Sequence, residues 1–416
     1  MSGPRVSRRS CLGLGLSLLA PGAEAQEHPL APFDREVETF MAARKIPGGA
    51  LAVVRDRRLI YARGYGAADP SHGARVRPDS LFRIASVSKA ITGVAVLKLI
   101  ESAQLGLEDR AFELLDLEPL AGEKLNPELR RITVRQLLHH TGGWDRKESG
   151  DPMFRPREIA RQAGVPPPAR PETVIRWMLS RPLDFKPGTR ESYSNFGYCV
   201  LGRVIEKASD TSYERFVRER VLAPVGITRM RVGASRLEGR APGEVRYWMA
   251  DPETTECVFP PHARVSWPDG GFHLEAMDAH GGWIASAVDL ARFAVALDDP
   301  TRSRILKPSS LSLLYEPPPA PVSRKPDGSL EDAWYACGWS VRPVAGTGRA
   351  NYWHAGSLPG TSSLLVRRWD GLGWAVLFNQ RSQDAALPDS QIDPALHRAA
   401  AAVREWPTQS LFPRYR

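Results

Sequence analysis

The chain reads as an α/β (α+β) protein: an antiparallel sheet flanked by helices and interrupted by an inserted all-helical domain. Three observations predict this. Two β-rich runs, residues 50–55 and 59–65, are joined by the polar turn Asp56-Arg57-Arg58. Four more strand-like runs gather near the C-terminus. Between them, apolar residues recur mainly at helical spacing. A hairpin at one end and strands at the other can share one sheet, which leaves the middle as an insertion.

In chain order, residues 34–45 read as an amphipathic helix with Val37, Phe40 and Met41 on one face, and Pro47-Gly48 ends it. The hairpin follows. Residues 79–84 lead into a helix over 86–101. An N-capped helix begins near Ile132 and closes at Gly142-Gly143. Residues 145–169, rich in charge, proline and glycine, read as a long loop. Helical periodicity returns over 172–180, 198–208 and 213–221, and residues 226–267 show no regular pattern. A helix over 287–297 precedes strands over 336–342, 350–353, 362–368 and 374–378. Asp370-Gly371 turns the last two into a hairpin. A helix over 394–405, with Pro394 in its first turn, closes the chain. The α/β domain therefore spans 26–130 and 271–416, and the helical domain 131–270.

The 416 residues suffice for one large domain or two joined ones. Hydrophobic content of 42% and charged content of 25% are those of a soluble globular protein. The formal charge of +9 comes from scattered arginines, with no aromatic-interleaved basic stripe and no zinc-finger spacing. That argues against a nucleic-acid partner. Arg5, Arg8 and Arg9 precede a short apolar run, and Ala23-Glu24-Ala25 supplies small residues for cleavage. Residues 1–25 thus read as a signal peptide, with Ser7-Arg8-Arg9 resembling a twin-arginine type. The expected location is periplasmic or secreted, with no stable membrane span in the mature chain. Cys199, Cys257 and Cys337 remain, allowing at most one bridge and matching neither zinc nor redox spacing.

Ser86-Val87-Ser88-Lys89 opens the apolar helix. Ser86 and Lys89, three apart, share a helix face. A serine nucleophile needs a neighbouring base, and a lysine acts as one only when burial or other cations lower its pKa. Ser88, adjacent to Lys89, lacks that spacing. Tyr193-Ser194-Asn195 follows a proline-glycine turn and leads into a helix, which aims a phenol and an amide into a cleft. His354-Ala355-Gly356-Ser357 lies at a strand end, where Gly356 admits another backbone or a ligand. His139 and His140 are sequence neighbours without a third metal ligand, so no metal and no cofactor is expected.

These motifs, in this order, resemble the serine β-lactamase and penicillin-binding-protein superfamily in its class C-like branch, whose signature includes serine-x-x-lysine. Leu137-Leu138-His139-His140-Thr141-Gly142-Gly143 and Gly281-Gly282-Trp283 look like further family segments, and the similarity spans roughly residues 33–405. The resemblance implies a β-lactamase/transpeptidase-like fold with the site between the α/β and helical parts. It implies that Ser86 is acylated, that Lys89 transfers protons, and that Tyr193 is a phenolate base. Asn195 would orient the substrate amide, and the backbone N–H groups of Ser86 and Ser357 would hold the oxyanion. Each such donor is worth about 2.7–4 kcal/mol. His354 stands where many antibiotic-hydrolysing members carry lysine. A histidine is mostly neutral at pH 7, which shifts the expected substrate from β-lactams toward D-amino-acid peptides of the cell wall, small esters and amides. The competing expectation is a non-catalytic or penicillin-sensing assembly protein that retains the fold.

Overall fold

Alternation along one strand sets the layers. In the strand Gly48–Arg55 (β1), Leu51 and Val53 enter a core with Phe33, Phe40, Ile392 and Leu396. Ala50, Ala52 and Val54 enter a second core with Ile91, Leu290 and Phe293. A period of two therefore buries both faces of the sheet. The computed structural model describes Met1, Gly3, residues 28–251 and residues 253–415.

The remaining strands of this sheet are Arg58–Asp69 (β2), Ala74–Arg75 (β3), Trp334–Tyr335 (β4), Ser340–Val344 (β5), Arg349–Leu358 (β6), Thr361–Arg367 (β7) and Leu372–Phe378 (β8). Their order is β3-β2-β1-β8-β7-β6-β5-β4, antiparallel throughout. The N-terminal hairpin joins the C-terminal strands through β1 and β8, with Ala52 opposite Ala375.

Five helices frame the site and its scaffold: Ala31–Arg44 (α1), Ser88–Glu101 (α2), Asn195–Ser209 (α3), Ala287–Val295 (α4) and Ile392–Ala402 (α5). Helices α1 and α5 contribute to the first core and α2 to α4 to the second. Residues Ser88 to Leu97 of α2 are all buried, as expected of a helix that is apolar on every side. The second core runs without a break from Val94 through Leu201 and Val204 to Phe293. The helical middle and the sheet thus share one apolar interior.

Several elements differ from the sequence reading. Residues 145–169 contain a short 3-10 turn, Pro152–Phe154, and a helix, Pro156–Gln162. Proline at N1 and Glu158 in the first turn are helix-start features that also fit the composition of a loop. The strand expected over 350–353 extends to Leu358, because pairing with β7 overrides the low strand propensity of Ala355-Gly356-Ser357. The helix expected from residue 198 begins at Asn195, capped by Ser194, whose Oγ accepts the Gly197 N–H at 3.1 Å. Cys199, Cys257 and Cys337 are buried free thiols, so the one bridge the sequence left open does not form. The leader read over residues 1–25 lies outside the described residues apart from Met1 and Gly3. Among the described residues, no helix is long and apolar enough to cross a membrane.

Candidate active site

Ser86 sits in the 3-10 turn Ala85–Val87, one step before α2 begins. The preceding Ala85 is fully buried with φ +45°, a left-handed conformation that costs a non-glycine residue free energy. This strained step turns the half-buried Ser86 side chain toward Lys89 one helical turn on. Lys89 Nζ lies 3.3 Å from Ser86 Oγ, 2.7 Å from Asn195 Oδ1 and 2.7 Å from the His280 carbonyl.

Burial holds the Lys89 pKa well below the ordinary lysine value; Asp151 opposes the shift and Arg146 adds to it. A neutral amine has two N–H donors and one lone pair. The two carbonyl acceptors at 2.7 Å take the donors. Ser86 Oγ, at 3.3 Å, is the third polar contact of Nζ. The His280 carbonyl is fixed from behind. The adjacent Ala279 carbonyl accepts from Thr92 Oγ1 at 2.6 Å, and Asp278 accepts from the Ala279 N–H at 2.6 Å and pairs with Arg203 at 2.5 Å. Ser88 points elsewhere, its Oγ accepting the Trp283 N–H at 3.3 Å.

Tyr193 is braced by His140. The His140 carbonyl accepts the Ser192 N–H at 2.9 Å, and its Nδ1 accepts the Ser194 N–H at 3.2 Å. The His140 ring centroid is 4.3 Å from those of both Tyr193 and Tyr335. The His140 carbonyl and imidazole thus hold the tyrosine loop on both sides of Tyr193. Its partner His139 points away, with Nδ1 3.1 Å from the Tyr335 carbonyl. Lys89 Nζ lies 4.6 Å from the Tyr193 ring centroid. The Tyr193 hydroxyl is out of water, with the Ser86 hydroxyl as a polar neighbour. Burial pushes its pKa well above the ordinary phenol value, with the nearby Ser86 hydroxyl and Arg146 acting against that. The direction is opposite to the lowering that the phenolate implied by the resemblance would need, because desolvation outweighs the nearby cation.

Asn195 links the lysine to the helical part. Its Oδ1 accepts from Lys89 and its Nδ2 donates to Asp151 at 2.7 Å. Each end of the amide has a second hydrogen-bonding position beyond these two contacts.

Strand β6 supplies the opposite wall. His354 Nδ1 is 2.7 Å from the Ala355 carbonyl and so carries the proton; Nε2 accepts from the Tyr335 hydroxyl at 3.0 Å. Burial pushes the His354 pKa down to about 3. It is a neutral ring and carries no positive charge for a substrate carboxylate. Histidine-selective NMR on the folded protein is expected to show no His354 titration under mildly acidic conditions. Protonation near the ordinary imidazole value would remove this reading. A Cβ on Gly356 would lie 2.3 Å from the Ile84 carbonyl and 3.0 Å from Ser86 N. Only glycine lets this strand come so close to the serine turn. Ser357 follows, exposed. Pairing between β5 and β6 ends at Trp353, so residues 354–358 have a strand partner only on the β7 side.

Hydrogen bonds thus gather Ser86, Lys89 and Asn195, the Tyr193 ring packs over the lysine, and Gly356 presses on the serine turn. His354 stands beside them, its ring centroid 6.4 Å from that of Tyr193. The sequence reading missed the His280 carbonyl, Asp151 and the bracing role of His140. Only His280 had a nearby signal, in Gly281-Gly282-Trp283; a backbone acceptor leaves no trace in residue identity. A groove lined by Tyr315, Tyr352, Arg367 and Trp369 shares no residue with this cluster.

A serine–lysine pair under an antiparallel sheet, faced by a tyrosine from a helical insertion, defines the β-lactamase and penicillin-binding-protein class of fold. The chain belongs to the Beta-lactamase family, whose model matches residues 33–397. It is 26% identical over 355 residues to penicillin-binding protein 4* of Bacillus subtilis, covering 84% of this chain and 71% of that one. Two further curated relatives are spanned over only 55% and 36% of their lengths. Among solved structures, it resembles the octameric penicillin-binding protein homologue from Pyrococcus abyssi, with TM-score 0.67, 23% identity, and 89% and 77% of the two chains covered. It also resembles the D-amino acid amidase from Ochrobactrum anthropi, with TM-score 0.66, 19% identity, and 89% and 98% covered.

Proposed function

We propose that this protein is an exported serine hydrolase that cleaves amide or ester bonds through an acyl-enzyme on Ser86. Its favoured substrates are D-amino-acid peptides. The observation that carries the mechanism is the buried Lys89 amine, its pKa held down by burial and its Nζ within reach of Ser86 Oγ, Asn195 Oδ1 and the His280 carbonyl.

In the forward step, Lys89 takes the Ser86 proton as Oγ bonds to the substrate carbonyl carbon. The carbonyl oxygen, now negative, lies between the N–H groups of Ser86 and Ser357. The neutral Tyr193 hydroxyl donates its proton to the leaving nitrogen or oxygen as that bond breaks, and is reprotonated from Lys89. Water then enters, and the same groups run the sequence in reverse to release the acid. The open side of residues 354–358 accepts an extended peptide as an added strand. The neutral His354 disfavours recognition of a β-lactam carboxylate at that position. That one structural relative is a D-amino acid amidase supports the substrate class. The basic, apolar and small-residue pattern of residues 1–25 supports export.

The test is labelling with a fluorophosphonate and a fluorescent penicillin, followed by peptide mapping. A single adduct on Ser86 is expected, absent in Ser86→Ala together with turnover of a chromogenic ester. Full activity in Ser86→Ala, or an adduct elsewhere, would sink the proposal. An adduct on Ser86 that is never released would favour the sensing alternative. Detecting the mature chain outside the cytoplasm, shortened to begin after Ala25, tests export.

A further inference from the structure

With His354 neutral, a substrate carboxylate needs its positive partner elsewhere on the rim. Arg146 is exposed on the loop that follows His140. Its guanidinium carbon lies 5.1 Å from the Tyr193 ring centroid, on the ring that also faces Lys89. Among the described residues, no carboxylate forms an ion pair with Arg146. The neighbouring acids are engaged elsewhere. Asp145 binds the Lys147 N–H and Arg190. Asp151 binds the Met153 N–H and Asn195. The loop beneath Arg146 is fixed, because the Asp145 N–H donates to Asp184 at 2.6 Å and the Asp184 N–H to the Gly143 carbonyl at 2.8 Å. A fixed base, a free five-donor fork and a place over the tyrosine ring are what a bidentate carboxylate partner requires.

We infer that Arg146 binds the free carboxylate of the substrate and makes the enzyme select peptides ending in an unblocked acid over their neutral amides. This rests on the proposed hydrolase reading only for the choice of substrate. Arg146 is a specificity-determining residue here; it takes no part in bond making.

The experiment uses acetyl-D-alanyl-D-alanine and its C-terminal amide. Calorimetric binding is measured in the Ser86→Ala protein, which cannot turn them over, so the outcome does not depend on catalysis. The acid is expected to bind more tightly than the amide. Adding Arg146→Ala should cost the acid about tenfold to a hundredfold, the size of a charge-assisted hydrogen bond, and leave the amide within twofold. Arg146→Lys should restore part of the difference, and Lys147→Ala should leave it unchanged. No preference for the acid, or equal losses for acid and amide, overturns the inference. Kinetics in the Ser86-containing protein separate the two ideas. Turnover with a preference that Arg146→Ala does not alter removes this inference alone, whereas binding without acylation of Ser86 removes the hydrolase reading alone.

Discussion

Replacing Lys89 by alanine is expected to lower kcat for ester or amide turnover by about 10²–10⁴-fold, the usual worth of a positioned general base. Lys89→Arg should be as damaging, because a guanidinium keeps its proton and offers no lone pair to Ser86. The pH dependence carries the sharper test. Since burial lowers the Lys89 pKa, the active neutral amine accumulates as pH rises through that lowered value. Activity should rise along one acid limb and then stay level. Tyr193, pushed up by burial, stays neutral across this range, and His354, pushed down to about 3, has already lost its proton. Residual activity in Lys89→Ala should lack the limb.

The same shift has a consequence for stability, with a definite sign. Between the lowered folded value and the ordinary unfolded one, the unfolded chain binds a proton at Lys89 that the folded chain does not. The contribution of this group to stability therefore rises with pH across that window and levels off above it. Denaturation midpoints of the natural protein should show this component, and Lys89→Met should lack it. An identical pH dependence in both proteins would mean that the buried amine keeps its ordinary pKa, and the base assignment would fall.

Much of this arrangement is legible in the sequence, for physical reasons that differ by residue. Near-continuous runs of apolar and β-prone residues mark β1 and the last strands, because a sheet buried on both faces must place apolar groups on both. The Ser86–Lys89 spacing survives intact, since a helix carries its own geometry. What the sequence hides are effects of the surroundings. Nothing in Tyr193-Ser194-Asn195 says that desolvation will exceed the pull of nearby cations on the phenol. Nothing says that Asn195 will place its Oδ1 on Lys89 and its Nδ2 on Asp151. His139-His140 is equally ambiguous until the fold turns one ring toward Tyr193 and the other toward the Tyr335 carbonyl. The strand through Gly356 is unreadable locally because its partner β7 supplies the order.

That strand leads to the second large effect. Gly356→Ala is expected to slow acylation of Ser86 by about 10²–10³-fold, the cost of disabling an oxyanion donor. The added methyl would lie 2.3 Å from the Ile84 carbonyl, 2.4 Å from Ser363 Oγ and 3.0 Å from Ser86 N. The serine hydroxyl can rotate away. The Ile84 carbonyl is backbone and cannot, for it accepts the Val87 N–H at 3.2 Å in the turn that carries Ser86. Relief must come from β6 moving off the serine turn, which separates the Ser86 and Ser357 N–H groups that the mechanism needs together. Ser357→Ala provides the contrast: it deletes an exposed hydroxyl and keeps the backbone N–H, so its acylation rate should change by less than about threefold. Stopped-flow labelling of both variants, with circular dichroism to confirm folding, measures the difference. A Gly356→Ala protein that folds and acylates at the natural rate, or a Ser357→Ala protein as slow as it, would show that the oxyanion is not held by these two backbone groups.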